Sequence, residues 1–243
     1  MKKLKFEILL PYYKRPQIVL NTLNSIKNSS YDNWHLTFID DSGDDFFRSA
    51  IMDFGFDESK FTYIPIMMSD QEKIEVGDSM HGKFMNEAII NSDADIILPI
   101  CDDDALVYDY MEKLNDFYNS DESIVWSYCH INYYDPYKET YLDSTPETDN
   151  GSLNYPYLNS NTESLNPYMC KDFSQVTFRR KCFTETNIFY PYPKTHDLDA
   201  YIFDKFFHIW GPCPFNGLRG QHKGWHYEQL GVRIRSGRGY YIN

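Results

Sequence analysis

The sequence predicts an α/β protein, with a parallel sheet covered by helices on its faces, and three observations carry that expectation. Compact apolar runs of strand length recur through the first half of the chain. Segments with apolar residues at helical spacing separate them. Three of the runs end in polar or acidic loops, and open parallel sheets collect ligands beyond the carboxyl ends of their strands. With 243 residues and a hydrophobic fraction of 42%, the chain can bury a sizeable core.

Taken in order, Phe6 to Leu10 is an apolar run closed by Pro11, as suits a buried parallel strand opening into a loop. Pro16 fits the first turn of a helix, where its missing N–H would have no intrahelical partner. Ile18, Val19, Leu23 and Ile26 continue that helix until Asn28-Ser29-Ser30. Trp34 to Ile39 forms a second strand and leads into Asp40-Asp41-Ser42-Gly43-Asp44-Asp45. A third short strand falls at Phe61 to Ile66, and Met80, Phe84, Ala88 and Ile89 mark one face of another helix. Ala94 to Ile100 is a fourth strand, ending in Cys101-Asp102-Asp103-Asp104. Such alternation of strand and helix builds a parallel sheet.

The second half has a different texture. From Ile131 to Asp172 it is rich in Tyr, Asn, Ser and Pro with little periodicity, which reads as a long loop region. Its tyrosines, including Tyr133, Tyr134, Tyr137, Tyr155 and Tyr157, suit either stacking on sugar rings or bases, or plugging an irregular segment onto the core. A further helix is expected near Leu198 to Trp210, with Tyr201, Ile202, Phe206 and Ile209 as its apolar face.

The net charge of −13 argues against broad adhesion to nucleic acid or anionic membranes. The tail after Leu218 runs against that trend, carrying Arg219, Lys223, Arg233, Arg235 and Arg238 with Glu228 as its one acid. A local cationic patch suits phosphate. Five cysteines without Cys-x-x-Cys spacing point to free thiols in a reducing compartment. No stretch approaches the roughly 18 apolar residues that span a bilayer, and the apolar run near Met1 is too short for a signal segment. The expected location is cytoplasmic.

Three adjacent carboxylates at a strand end repel one another unless a cation or solvent relieves them. A hard divalent ion with oxygen ligands, Mn2+ or Mg2+, is the natural relief. Capping by Asp104 of a helix from Ala105 would account for one acid and leave two.

In these motifs the chain resembles the GT-A glycosyltransferases, particularly the large inverting family numbered two. Pro11-Tyr12-Tyr13 is similar to the family's Pro-x-Tyr loop after the first strand, and Asp40-Asp41-Ser42-Gly43 to its Asp-Asp-Gly-Ser after the second. Asp102-Asp103-Asp104 resembles its metal-binding Asp-x-Asp, and Gly82 to Asn86 its preceding Gly-x-x-x-x-Asn region. Lys14 stands where the family often has Asn. The resemblance covers roughly the first 120 residues well and the remainder by fragments.

The resemblance implies a GT-A-like Rossmann-type α/β/α sandwich with a mixed, mostly parallel sheet and an elaborated C-terminal half. It implies a single domain over 1–243, with 1–120 binding a nucleotide sugar and 121–243 the acceptor. The activity implied is metal-dependent, inverting transfer of a sugar from a nucleotide diphosphate, a UDP-sugar being favoured. Pro11, Tyr13, Arg15, Asp40, Asp41, Lys83, Asp102 and Asp103 are then donor-binding candidates. Asp102 with Asp104 are the first-choice metal ligands, although a run of three acids leaves the register open. Thr195-His196-Asp197-Leu198-Asp199 resembles the family's Glu-Asp pair before a helix, making Asp197 the first candidate base and Asp199 the second. Asp197 as a simple helix cap is an equal alternative. Leu218 to Lys223 resembles a late Arg-x-His pattern, so His222 would complete the metal shell or contact the diphosphate, while Arg219 and Lys223 neutralise the leaving group.

The acceptor stays open among a glycan, a lipid-linked sugar, a protein and, ranked lower, DNA bearing a hydroxymethylated base. A nucleotidyltransferase is disfavoured because Pro11 to Pro16 contains no glycine for a phosphate loop. A non-catalytic sugar-binding or assembly module on the same fold is the rival of a different class.

Overall fold

β1 (Phe6–Tyr12) turns Phe6, Ile8, Leu10 and Tyr12 to one side of the sheet and Leu9 to the other, so both faces need a cover. The computed structural model describes residues 1–42, 48–76, 80–135, 140–142, 173–192 and 198–224. On the first face α1 (Pro16–Lys27) contributes Val19, Leu23 and Ile26, and α5 (Tyr110–Ser120) contributes Tyr110, Met111, Leu114 and Tyr118. On the second, α4 (Met80–Asn91) and α7 (Leu198–Trp210) pack Met85, Ile89, Ile202, Phe203 and Phe206 against Leu9, Ile97, Trp126 and Phe178. The result is the α/β/α sandwich expected from the sequence.

The remaining elements are β2 (Trp34–Asp40), α2 (Arg48–Met52), β3 (Phe61–Pro65), α3 (Asp70–Val76), β4 (Ile96–Pro99), β5 (Asp104–Leu106), β6 (Trp126–Asp135), β7 (Thr140–Leu142), β8 (Val176–Arg179), α6 (Lys181–Thr184) and β9 (Phe215–Gly224). Among the described residues one sheet has the order β3-β2-β1-β4-β8-β6-β9-β5, with β7 paired to β6. β3, β2, β1, β4, β6 and β9 run one way, while β8, β5 and β7 run the other. β8 therefore enters from the edge at which β1, β2 and β4 finish.

Glu7 is the polar exception in β1. It is buried, accepts hydrogen bonds from Thr37 Oγ1 at 2.7 Å and Ser92 Oγ at 2.8 Å, and lies 2.9 Å from His35 Nδ1. Those contacts tie β1 to β2 and to the residue after α4, so its lone pairs are satisfied within the protein.

Several expectations need correction. Asp104 caps no helix: it opens β5 and is 1% exposed. The segment from Ile131 is not wholly loop, since β6 carries it as strand to Asp135. Leu218 to Lys223, which the sequence assigned to no element, lies in β9. The apolar face of α7 is Leu198, Ile202, Phe203 and Phe206, with Tyr201 and Ile209 exposed, because i, i+4 and i+8 from Leu198 set the stripe. No helix among the described residues is long and apolar enough to cross a membrane.

Candidate active site

The loop from β1 to α1 is built around a tight backbone turn. Lys14 has φ of 48°, a left-handed conformation that costs an ordinary L-residue about 1 kcal/mol and that Asn tolerates better. The turn directs three successive groups. The Tyr13 N–H donates to Asp102 Oδ2 at 3.1 Å, and the Lys14 N–H reaches Ser42 Oγ at 3.4 Å. Arg15, at the N-cap of α1, makes no side-chain cap, and its guanidinium turns instead to the acids after β4. Nη2 lies 3.2 Å from Asp102 Oδ1 and Nη1 donates to Asp103 Oδ2 at 2.9 Å.

Arg15 thus provides part of the relief that three adjacent carboxylates require. Burial still pushes the Asp102 carboxyl up to about 7; Arg15 and the Tyr13 N–H oppose the rise, and the Asp103 carboxylate adds to it. Asp104 accepts from Ser174 Oγ at 2.5 Å. Cys101, Asp103 and Asp104 each present one ligand atom within 4.8 Å of the others. Two carboxylates at the sheet rim fit a hard divalent cation that keeps water or diphosphate oxygens, with the thiol as the softer donor. The geometry groups Asp103, rather than Asp102, with Asp104.

Beside this group, β2 delivers Asp40 and Asp41. Asp40 is buried and accepts from Tyr63 Oη at 2.6 Å and the Ser42 N–H at 3.0 Å. Asp41 pairs with Lys73 of α3, whose Nζ lies 2.9 Å from Oδ1 and also donates to the Asp41 carbonyl. Lys73 is 3% exposed and stands 5.2 Å from the Tyr13 ring centroid; Lys14 Nζ stands 5.1 Å from the same centroid. Tyr13 Oη and Lys14 Nζ both donate to Asp70, at 3.1 and 2.9 Å. A half-exposed aromatic ring attended by two ammonium groups is a surface on which a base and an anion can both rest. Pro11 is half-buried near the end of β1.

α4 connects this rim to α7. His81 Nδ1 lies 3.8 Å from Asp41 Oδ2. At Gly82 a Cβ would meet the Pro191 carbonyl at 3.2 Å and Leu198 Cδ2 at 3.3 Å, so glycine permits the close approach. Asn86 clamps the incoming chain, donating to the Tyr190 carbonyl at 2.8 Å and accepting the Tyr190 N–H at 2.9 Å. Asp199 lies in the first turn of α7, where its Oδ1 accepts the Ala200 N–H at 2.8 Å. Burial and the Asp199 carboxylate together push the Tyr190 phenol well up. Asp197 lies outside the described residues. Lys83 is 44% exposed and faces Glu87, at 3.9 Å.

The tail strand pairs with the acid motif through the backbone: in the antiparallel register of β5 with β9, Asp104 stands opposite Lys223 and Ala105 opposite His222. Arg219 is opposite His130 of β6. Sequence reasoning did not single out Lys73, His81 or Ser174, nor Cys101 as part of the site. Cys101 was readable from its place beside the acids. Lys73 sits in a seven-residue helix and Ser174 in a three-residue turn, too short for any periodic signal.

Sheet order, two helical layers and acids at one rim define the fold as GT-A-like. Among solved structures, S. aureus TarS residues 1–349 in complex with UDP aligns with TM-score 0.62 at 12% identity, over 93% of this chain and 62% of that one. The same TarS fragment in complex with UDP-GlcNAc gives 0.62 at 13%, over 91% and 59%, and a longer TarS chain gives 0.56 at 13%, over 93% and 38%. The chain therefore spans about three fifths of the TarS 1–349 fragment. Identity at this level speaks for a shared fold. No protein-family model and no curated protein matches the sequence.

Proposed function

We propose that the chain is an inverting glycosyltransferase that takes a sugar from a UDP-sugar and places it on an acceptor hydroxyl. The observation that carries this reading is the convergence of Tyr13, Asp40, Asp41 and the Asp102 to Asp104 run at one rim of a fold whose neighbours hold UDP and UDP-GlcNAc. The base lies against Tyr13 and Pro11 and is read by Asp41, kept in place by Lys73; Asp40 is already engaged by Tyr63.

Asp103 and Asp104, with Cys101 beside them, would hold Mn2+ or Mg2+, which when bound withdraws charge from the leaving diphosphate. Arg15 keeps Asp102 and Asp103 aligned, and the role left to the basic tail is to offset charge developing on the diphosphate, with Lys223 at the register position opposite Asp104. Asp197, or else Asp199 two residues on, takes the proton from the acceptor hydroxyl on the face opposite the leaving group. The N-terminal end of α7 packs on Gly82 next to His81 and Asp41, which supports this assignment. A glycan, lipid-linked sugar or protein acceptor suits the acidic chain better than DNA.

The test is turnover of UDP-glucose, UDP-galactose, UDP-GlcNAc and GDP-mannose with and without Mn2+, with product anomers assigned by NMR. A metal-stimulated release of UDP with inverted product, lost in Asp197→Asn and Asp104→Ala, is expected. Nucleotide binding without turnover of any donor would favour the non-catalytic module.

A further inference from the structure

We infer that Ser174 is a positioning residue for the cation-binding carboxylate of Asp104, an inference that rests on the function proposed above. Ser174 lies in the 3-10 turn Phe173–Gln175 that leads into β8, and both Ser174 and Gln175 are fully buried. A hydroxyl has one proton and two lone pairs. The Cys101 N–H donates to Ser174 Oγ at 2.8 Å, which fills a lone pair and turns the hydroxyl proton away from that amide. The proton is delivered to Asp104 Oδ2 at 2.5 Å. Ser174 therefore bridges the two ends of the Cys101 to Asp104 run, fixing the backbone at one end and the carboxylate at the other.

The bridge is itself braced from the second half of the sheet. Gln175 Nε2 donates to the Cys129 carbonyl of β6 at 2.8 Å, so the turn cannot slide along β8 without breaking that bond. Asp104 is 1% exposed, and water has little access to replace a lost donor. Without the hydroxyl, the carboxylate loses the short bond that helps set its orientation beside Asp103 and Cys101. Partners that orient metal ligands in this way are typically worth about 10- to 100-fold in metal affinity.

The experiment measures Mn2+ uptake by electron paramagnetic resonance in the presence of UDP for the parent, Ser174→Ala and the near-isosteric Ser174→Cys. Each substitution is repeated in an Asp104→Asn background, and UDP affinity without metal is measured by calorimetry. Both Ser174 variants are expected to weaken Mn2+ binding about 10- to 100-fold, to leave metal-free UDP affinity unchanged, and to cause no further loss once Asp104 is Asn. Unchanged Mn2+ affinity in both variants, an equal loss of metal-free UDP affinity, or a full additional loss in the Asp104→Asn background overturns the positioning role. If the parent itself takes up neither UDP nor Mn2+, the proposed function fails first and this inference with it.

Discussion

At the N-cap of α1 most proteins place Ser, Thr, Asp or Asn, and here the chain places Arg15, whose guanidinium holds two carboxylates instead of a helix end. Its side chain is 11% exposed and that of Asp102 4%, so water does little to screen them. Removing the cation while keeping the acids is therefore expensive. Arg15→Met is expected to lower stability by about 3 kcal/mol in urea unfolding at pH 8, with a smaller loss below pH 6, where Asp102 holds its proton. The raised Asp102 pKa gives a second outcome. Between the ordinary value of 3.8 and about 7, the folded state keeps a proton that the unfolded chain has released, so this group makes stability fall as pH rises through that window. Asp102→Asn is expected to gain stability relative to the parent progressively from pH 4 to 7; a difference flat across that range contradicts the assignment. Lys14 offers a gentler test, since Lys14→Gly relieves its positive φ while removing the ion pair to Asp70.

Between elements, the contact of α4 with α7 transmits order to the rim. Asn86 satisfies both backbone groups of Tyr190, and Asn86→Ala leaves them half-buried without that partner, an expected loss of about 2 kcal/mol by thermal unfolding. Gly82→Ala forces a methyl against a carbonyl and a leucine, with an expected cost of about 1 kcal/mol and a shift of the first turn of α7. Both variants should reduce transfer more than nucleotide binding, because they disturb Asp199 and its neighbours more than Tyr13 or Asp41. The glycine and asparagine were readable as a motif, but their purpose was not: it depends on Pro191 and Leu198, more than a hundred positions away. The bounds of α7 were similarly legible and its buried face in part: Ile202 and Phe206 pack as expected, while Tyr201 and Ile209, apolar enough to suggest burial, lie off the stripe.

For the whole molecule, the first four strands were legible because β1, β2 and β4 are short, largely buried apolar runs, while β3, only partly buried, showed as a brief apolar run closing on Pro65. The second half was opaque for a physical reason. β8 has four residues and pairs with no sequence neighbour, so its identity as a strand comes from β4 and β6; the three-residue β5, at the end of the first half, depends in the same way on β9. The acids after β4 were read as needing a cation, and the structure meets that need partly from within, through Arg15 and Ser174. Cys101, Asp103 and Asp104 each place one ligand atom within 4.8 Å of the others, a grouping that could hold a metal ion. The most direct test is titration calorimetry of UDP with and without Mn2+, using the parent chain and Asp104→Ala. Binding that Mn2+ tightens at least about tenfold in the parent, with no tightening in the variant, is the predicted result. UDP that binds equally well with or without the ion, or not at all, contradicts it.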